Sequence, residues 1–279
     1  MKNYIFDCEF YLNFYHDLPK NVYEIGNNAI LHYTNHGIKE SRICCQEELT
    51  DIINKNSQLI NKQYEMLKTK IFKKKERPLN ILIRTSMRPD FFKKCIESVL
   101  TQKYTNYNIY VCYDKIESLG YLNDYDIKHK NITIFFVEID STEKYKFNLY
   151  NNELINKVEC GFILFLDDDD IFTHDLCFKI INENITRKKD LLIWKFMRPD
   201  KIIYPKNVND IKLGDIDTTT VCFHSKFKRL SKWGDKQCGD YYFFKRLFKS
   251  LKKINKLSII KVNYILTKTI FHEKMCGSI

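Results

Sequence analysis

Residues 161 to 175 read GFILFLDDDDIFTHD, so that four consecutive aspartates, Asp167 to Asp170, follow an unbroken apolar run from Phe162 to Leu166. A buried strand cannot carry charge in its interior, so the acids begin where the backbone would leave the core. Carboxylates gathered this closely repel one another unless a cation sits among them. Magnesium or manganese answers that need, because either takes oxygen ligands and usually holds one or two protein carboxylates, with water and phosphate completing the shell. The competing reading is a solvated loop that caps the next helix, whose N-terminus favours acids.

The aspartates are positioned by what precedes them. From Leu79 the pattern predicts strand, helix, strand, strand, helix, strand: LNILIR (79–84), FFKKCIESVLTQ (91–102), YNIYVCYD (107–114), ITIFFVEID (132–140), EKYKFNLYNNELINKV (143–158) and GFILFL (161–166). In the first helix Phe92, Cys95, Ile96 and Val99 recur at helical spacing, whereas the strand segments are short and rich in β-branched or aromatic residues. Such alternation implies right-handed crossovers and a largely parallel sheet covered on both faces. Ligands of these sheets bind at the carboxyl ends of the strands. Thr85, Asp114 and Asp167 to Asp170 all fall there.

The chain has 279 residues, 44% of them hydrophobic and 14% aromatic, enough to bury a sizeable core. No apolar run approaches the roughly 20 residues of a membrane helix, and the opening MKNYIFDCEFYLNFYHDL carries Asp and His where a signal peptide would be uniformly apolar. A cytoplasmic protein with no transmembrane segment is expected. Ten cysteines with no C-x-x-C pair suggest reduced thiols rather than a disulfide framework or zinc site. The net charge of +11 is spread over dispersed lysines and the runs KTKIFKKKER and FKRLFKSLKKINK; with no nucleic-acid motif beside it, it reads as solvated surface and not as a specific nucleic-acid site. Organisation changes along residues 51–78, where EELTDIINKNSQLINKQYEMLKTKIFKKKERP reads as a connecting helix ending in a basic linker. The expected division is a small helical module at 1–50, the connector at 51–78 and an α/β domain at 79–279.

LNILIRTSMRPDFFKKCIESVLTQKYTNYNIYVCYD resembles the opening of the family 2 glycosyltransferases of GT-A fold, and GFILFLDDDD resembles their D-x-D strand. The resemblance spans about residues 79 to 279. It implies a Rossmann-like, mixed but mostly parallel sheet flanked by helices, and a metal-dependent inverting transfer of a sugar from a nucleotide-diphosphate donor, UDP-linked, to a hydroxyl acceptor on a glycan or another molecule. Carried over by position, Thr85 and Asp114 hold the uracil end, Lys146 approaches the pyrophosphate, Asp168 lies near the ribose with Asp167 in the same cluster, and Asp169 ligates Mn2+ or Mg2+. Ser86-Met87-Arg88 departs from the aromatic and Asn common after the Ser/Thr; Arg88 is placed beside the nucleotide.

In the second half KQCGDYYFFKRL is similar to the family's acidic motif before a helix, with Asp240 in the place of the base and Gly239 where Glu is common. An inverting transfer needs such a base to accept the proton of the acceptor hydroxyl. A lone aspartate there is also an ordinary helix cap. TIFHEKMCGSI resembles the terminal His segment, which makes His272 a metal or diphosphate contact or a structural histidine. LGDIDTTTVCFHSK followed by Trp233 lies where the family shapes its acceptor and sugar pocket, so Asp217 and Trp233 are candidates there, Trp233 equally a core residue. The N-terminal FDCEFYLNFYHDL…AILHYTNHGIKESR is similar to a short module found beside carbohydrate-linked domains, in which His32, Tyr33, His36 and Gly37 read as packing and turn residues. Two other classes fit part of the pattern. One is a nucleotidyltransferase on the same fold; the other is a catalytically silent module that binds a glycan or polyanion.

Overall fold

A computed structural model describes residues 4–15, 18–24, 26–40, 42–139, 142, 144–205 and 215–270. The chain divides into two compact units, the first ending at Gln63 and taking in Arg198–Ile202, the second comprising Tyr64–Met197 and Ile203–Ile270.

The first unit contains helices α1 (Cys8–Phe14), α2 (Lys20–Glu24), α3 (Gly26–His32) and α4 (Ile38–Glu40) and most of α5 (Gln46–Lys68). Its small core is aromatic: Tyr11 is buried among Phe6, Tyr15 and Tyr33, and its hydroxyl pairs with His32 Nδ1 at 3.1 Å. Between α3 and α4 the backbone widens into a π-helical turn, Tyr33–Gly37. A Cβ on Gly37 would lie 2.7 Å from the Tyr33 ring and 2.8 Å from the Tyr11 hydroxyl, which explains the glycine of the HG dipeptide as a packing requirement.

The second unit is built on β1 (Leu79–Thr85), α6 (Pro89–Leu100), β2 (Tyr107–Tyr113), α7 (Leu119–Lys128), β3 (Ile132–Phe136), α8 (Tyr150–Lys157), β4 (Phe162–Asp167), β5 (Asp170–Phe172), α9 (Cys177–Asn184), β6 (Asp190–Met197), β7 (Ile203–Tyr204), β8 (Val221–His224), α10 (Gly239–Lys253) and β9 (Ser258–Thr269). The strands form one mixed sheet in the order β3-β2-β1-β4-β8-β6-β9-β5, with β7 paired to β6. The first four strands of that order are parallel, and β8 and β5 run antiparallel to their neighbours. Successive crossovers leave β1 towards β2 on one side and β4 lies on the other, which opens a crevice at the carboxyl ends of β1 and β4.

Strand alternation divides the core in two. Leu79, Ile81 and Ile83 of β1 and Phe162, Leu164 and Leu166 of β4 pack with α6 and α9, while Leu82, Ile163 and Phe165 face α8 and α10. The first, second and fourth expected strands and the first helix stand where their periodicity places them, whereas β3 ends at Phe136 short of the expected 140 and the helix expected over 143–158 is regular only from Tyr150. The reading of strand followed directly by strand after β2 is corrected: α7 intervenes, hidden in the sequence because Gly120 and Asn123, poor helix formers, interrupt its apolar positions, and formed because Leu122 and its neighbours pack against the sheet. The described cysteines are free thiols. No helix among the described residues is long and apolar enough to cross a membrane.

The entry into β4 depends on a glycine. Gly161 sits at φ +92, where an added Cβ would lie 2.5 Å from the carbonyl oxygen of Pro78 and 2.8 Å from its Cβ. Gly161→Ala is therefore expected to destabilise by about 2 kcal/mol, combining backbone strain with a backbone clash. At about 2–4 °C per kcal/mol for a unit of this size the melting temperature should fall by about 4–8 °C, measured by thermal unfolding of the full chain.

Candidate functional site

The ends of β1 and β4 are direct neighbours, with Arg84, the penultimate residue of β1, opposite Asp167, the last of β4. By alternation both side chains point to the face covered by α8 and α10, the next residues to the opposite one. Arg84 grips Asp167 with two parallel bonds, Nε to Oδ1 at 2.8 Å and Nη2 to Oδ2 at 3.2 Å. On the other face the Thr85 hydroxyl donates to Asp168 Oδ2 at 2.7 Å and stands 3.0 Å from the Tyr121 hydroxyl of α7. Arg88, just before α6, closes this side: its guanidinium pairs with both oxygens of Asp168 and reaches Asp169 Oδ2 at 3.3 Å. Two arginines from the end of one strand thus answer three carboxylates from the end of its neighbour.

Burial sets the character of each acid. Asp168 is 0% exposed, and desolvation raises its carboxyl to about 6 against the opposing pull of Arg88 and Thr85. Burial opposes the charge of Arg88 as well, but the neighbouring carboxylates outweigh it and raise its pKa. Asp169, 15% exposed, meets Arg88 through a contact that is long for a charged pair. Asp170 is enclosed in β5; burial and then the nearby Asp217 push its carboxyl well up. Asp217 is raised for the same reasons, burial first and Asp240 next, while its side chain caps the turn Thr218–Thr220 by accepting from the Thr219 amide at 3.2 Å.

Asp240 stands in the first turn of α10, entered through Cys238 at φ 54. Its carboxyl is raised by burial and by Asp167, and lowered by the Tyr241 amide and by Arg84. Asp240 is not the cap of α10, a position that Cys238 holds without a side-chain hydrogen bond; it is the acid of the first turn and a neighbour of the acid cluster. The structure therefore brings together Thr85, Arg88, Asp167, Asp168, Asp169, Asp217 and Asp240.

The remaining expected residues stand elsewhere or are otherwise engaged. Asp114 follows β2 and accepts from the Tyr150 hydroxyl at 3.1 Å through Oδ2, whereas its Oδ1 is buried with no hydrogen-bond partner. Lys146 is exposed at the start of the turn Lys146–Leu149. Trp233 is a correction: it is 1% exposed, stacked on Phe243 at 4.9 Å and met edge-on by Phe165, so its ring packs in the core and has no face left for a sugar. His272 lies outside the described residues. Arg84 and Tyr121 went unread in the sequence, Arg84 because it sits inside a strand pattern and Tyr121 because its helix was missed. A cavity of about 430 Å³ adjoins Tyr121 between α6 and α7, walled by Phe92, Tyr121, Tyr125 and His129.

The mixed, mostly parallel, curled sheet flanked by helices is a GT-A-like fold. No protein-family model matches the sequence, and no curated protein matches it either. Among solved structures the chain is similar to S. aureus TarS, with a TM-score of 0.56 at 15% identity over 70% of this chain and 37% of that one. It is also similar to TarS 1–349 in complex with UDP-GlcNAc, with a TM-score of 0.52 at 14% identity over 71% of this chain and 60% of that one. At such identities the likeness is one of fold. The matched region is therefore only part of each TarS chain.

Asp168 generates a prediction about pH. Its carboxyl binds a proton more tightly in the folded chain, at about 6, than at its ordinary value of 3.8, so its ionisation lowers stability as pH rises through that window. Arg88→Ala removes the opposing cation and widens the window upward. Urea unfolding in EDTA should show a loss of about 2 kcal/mol at pH 8, below the roughly 3–5 kcal/mol of a fully buried pair because Arg88 is 38% exposed, and a smaller loss at pH 5. An equal loss at both values would mean that Asp168 stays ionised without Arg88.

Proposed function

We propose that the chain is a metal-dependent inverting glycosyltransferase that moves a hexosyl or N-acetylhexosaminyl unit from a UDP-sugar to a hydroxyl acceptor. The observation that carries this reading is the convergence of the β4 acids and Asp240 at the crevice between β1 and β4, on a fold shared with TarS, a structure of which holds UDP-GlcNAc. In support of a uridine donor, Asp114 Oδ1 is a buried acceptor with no protein partner, suited to the imide N–H of uracil. Tyr121 adds an aromatic face beside Thr85.

Among the described residues no three ligating side chains form a ready-made metal cage. A magnesium- or manganese-type ion needs none, since one or two carboxylates suffice beside water and phosphate. Asp169 fits as the principal donor: it reaches solvent, its contact with Arg88 is long, and Arg88 is itself exposed enough to swing aside. When bound, the ion supplies positive charge to the diphosphate as it leaves. In this reading Arg88, once displaced, and Lys146 are the cations nearest the diphosphate. Asp168 orients the ribose, held in place by Thr85. Asp240 takes the proton of the acceptor hydroxyl as its oxygen attacks the anomeric carbon; the bond from that carbon to the diphosphate oxygen breaks, and its electron pair leaves with UDP. Attack opposite the departing diphosphate inverts the anomeric centre. Asp240 also favours transfer to a hydroxyl over nucleotidyl transfer, which places its acids around the α-phosphate alone.

Three outcomes test this reading. UDP with manganese should raise the melting temperature, whereas GDP with manganese should not; the reverse pattern would remove the uridine assignment. Asp169→Ala should abolish both manganese-dependent UDP binding and turnover, measured by calorimetry and by UDP release from UDP-GlcNAc and UDP-glucose. Asp240→Asn should keep UDP binding while turnover falls by about 10²–10⁴-fold, the usual contribution of a general base. Turnover at the wild-type rate in Asp240→Asn would leave that residue an acid of the first helical turn with no part in proton transfer.

A further inference from the structure

Arg84 does more than neutralise Asp167. Its remaining guanidinium nitrogen, Nη1, turns away from the acids and donates to the Phe147 carbonyl oxygen at 3.1 Å and to Asn148 Oδ1 at 3.2 Å, and the guanidinium lies over the Phe147 ring at 4.8 Å. Asn148, itself buried, passes the connection on: its Nδ2 donates to the Lys236 carbonyl oxygen at 2.8 Å. Gly239, the first residue of α10, rests directly on the Asn148 amide, where an added Cβ would lie 2.7 Å from Nδ2 and 2.8 Å from Cγ. The next residue is Asp240. One continuous set of directional contacts therefore runs from the end of β4 through Arg84 and Asn148 to the turn that carries Asp240.

We propose that Arg84 and Asn148 are a positioning pair, which fixes the first turn of α10 at a set distance from the strand-end acids and places a permanent positive charge beside Asp240. The inference rests on the reading of Asp240 as the base. Only arginine meets all the demands at once, because a planar fork can grip a carboxylate with one edge and still donate from the third nitrogen, and it stays charged at any accessible pH. Among the described residues the ionisable groups that act on Asp240 include Asp167 from β4, Asp217 from the turn before β8, Cys238 from the preceding turn and Arg84 from β1. Arg84 is the one cation in that set, and its charge favours the ionised form that accepts a proton. Thr85, Arg88 and Asp168 lie across the strand from this bridge, so that side of the site and the positioning of the base can be probed separately.

The test compares Arg84→Met, Arg84→Lys and Asn148→Ala by manganese-dependent UDP binding and by the pH profile of UDP release from whichever UDP-sugar the wild type turns over. Arg84→Lys and Asn148→Ala should bind UDP within about threefold of wild type, and Arg84→Met, which also uncovers Asp167, should lose far less in UDP affinity than in kcat. Arg84→Met should lose about 10²-fold in kcat and move the acid limb of the kcat profile to higher pH. Arg84→Lys should restore the position of the limb without restoring kcat, since the charge returns and the fork does not. Asn148→Ala should lower kcat by about 10-fold or more with the limb unmoved. Loss of UDP affinity in step with kcat, or a wild-type kcat and limb in Arg84→Met, would overturn the proposal. Should Arg84→Met fail to fold, Arg84→Lys and Asn148→Ala decide it. If Asp240→Asn retains turnover, the base assignment fails; if Asp240→Asn separates binding from turnover and the Arg84 and Asn148 variants do not, this inference fails alone.

Discussion

Successive carboxylates at the end of a buried strand are the constraint around which this structure is arranged. Asp167, Asp168 and Asp169 cannot remain together in a partly dry crevice unless positive charge meets them from nearby. The neighbouring strand provides it: Arg84 is the penultimate residue of β1 and Arg88 follows the strand closely, and parallel pairing in register sets the first directly opposite Asp167. Each guanidinium serves one face of the sheet. Apolar burial along β1 and β4 therefore gives way, within one residue, to a compact array of alternating charge.

That division by face gives the site two sides with different chemistry. On the side of α6 and α7, Thr85, Tyr121, Arg88 and Asp168 form a hydrogen-bonded set, and Tyr121 also lines a cavity with Phe92, Tyr125, Asp90 and Lys93. On the side of α8 and α10, Arg84 links Asp167 to Asn148 and so to the turn that carries Asp240. The heavy aromatic packing of Trp233, Phe165, Phe243 and Phe244 lies immediately beneath that turn and holds α10 against the sheet. The base role proposed for Asp240 would need this rigidity, since a displacement of about 1 Å can cost about 10²-fold in rate.

Much of this was legible in the residues. The apolar runs of β1, β2 and β4, the helical spacing of Phe92, Cys95, Ile96 and Val99, and the break from apolar to acidic at Asp167 marked the strands, the first crossover and the strand ends where ligands gather. What stayed hidden had local causes. Helix α7 is built on residues of weak helical pattern and forms because tertiary packing rewards it, so Tyr121 could not be placed beside Thr85. Trp233 has a composition suited equally to a sugar platform and to a core, and only the neighbours around it distinguish the two. Asp114 and Thr85 end paired strands, yet their side chains have separate partners, Tyr150 for one and Asp168 for the other.

The sequence by itself determined the class of fold and the neighbourhood of the acids, because hydrophobic periodicity and strand ends are local properties of consecutive residues. Only the tertiary structure decided how each charge is compensated. Arg84 and Asp167 are 83 positions apart, and Asn148 meets Lys236 across 88. Contacts over such distances follow from strand register and from which face a side chain occupies, and neither is written in the spacing of neighbouring residues. An arginine inside an apolar strand therefore reads as an anomaly along the chain and becomes, once β4 lies beside β1, the counter-charge that lets the acids stay.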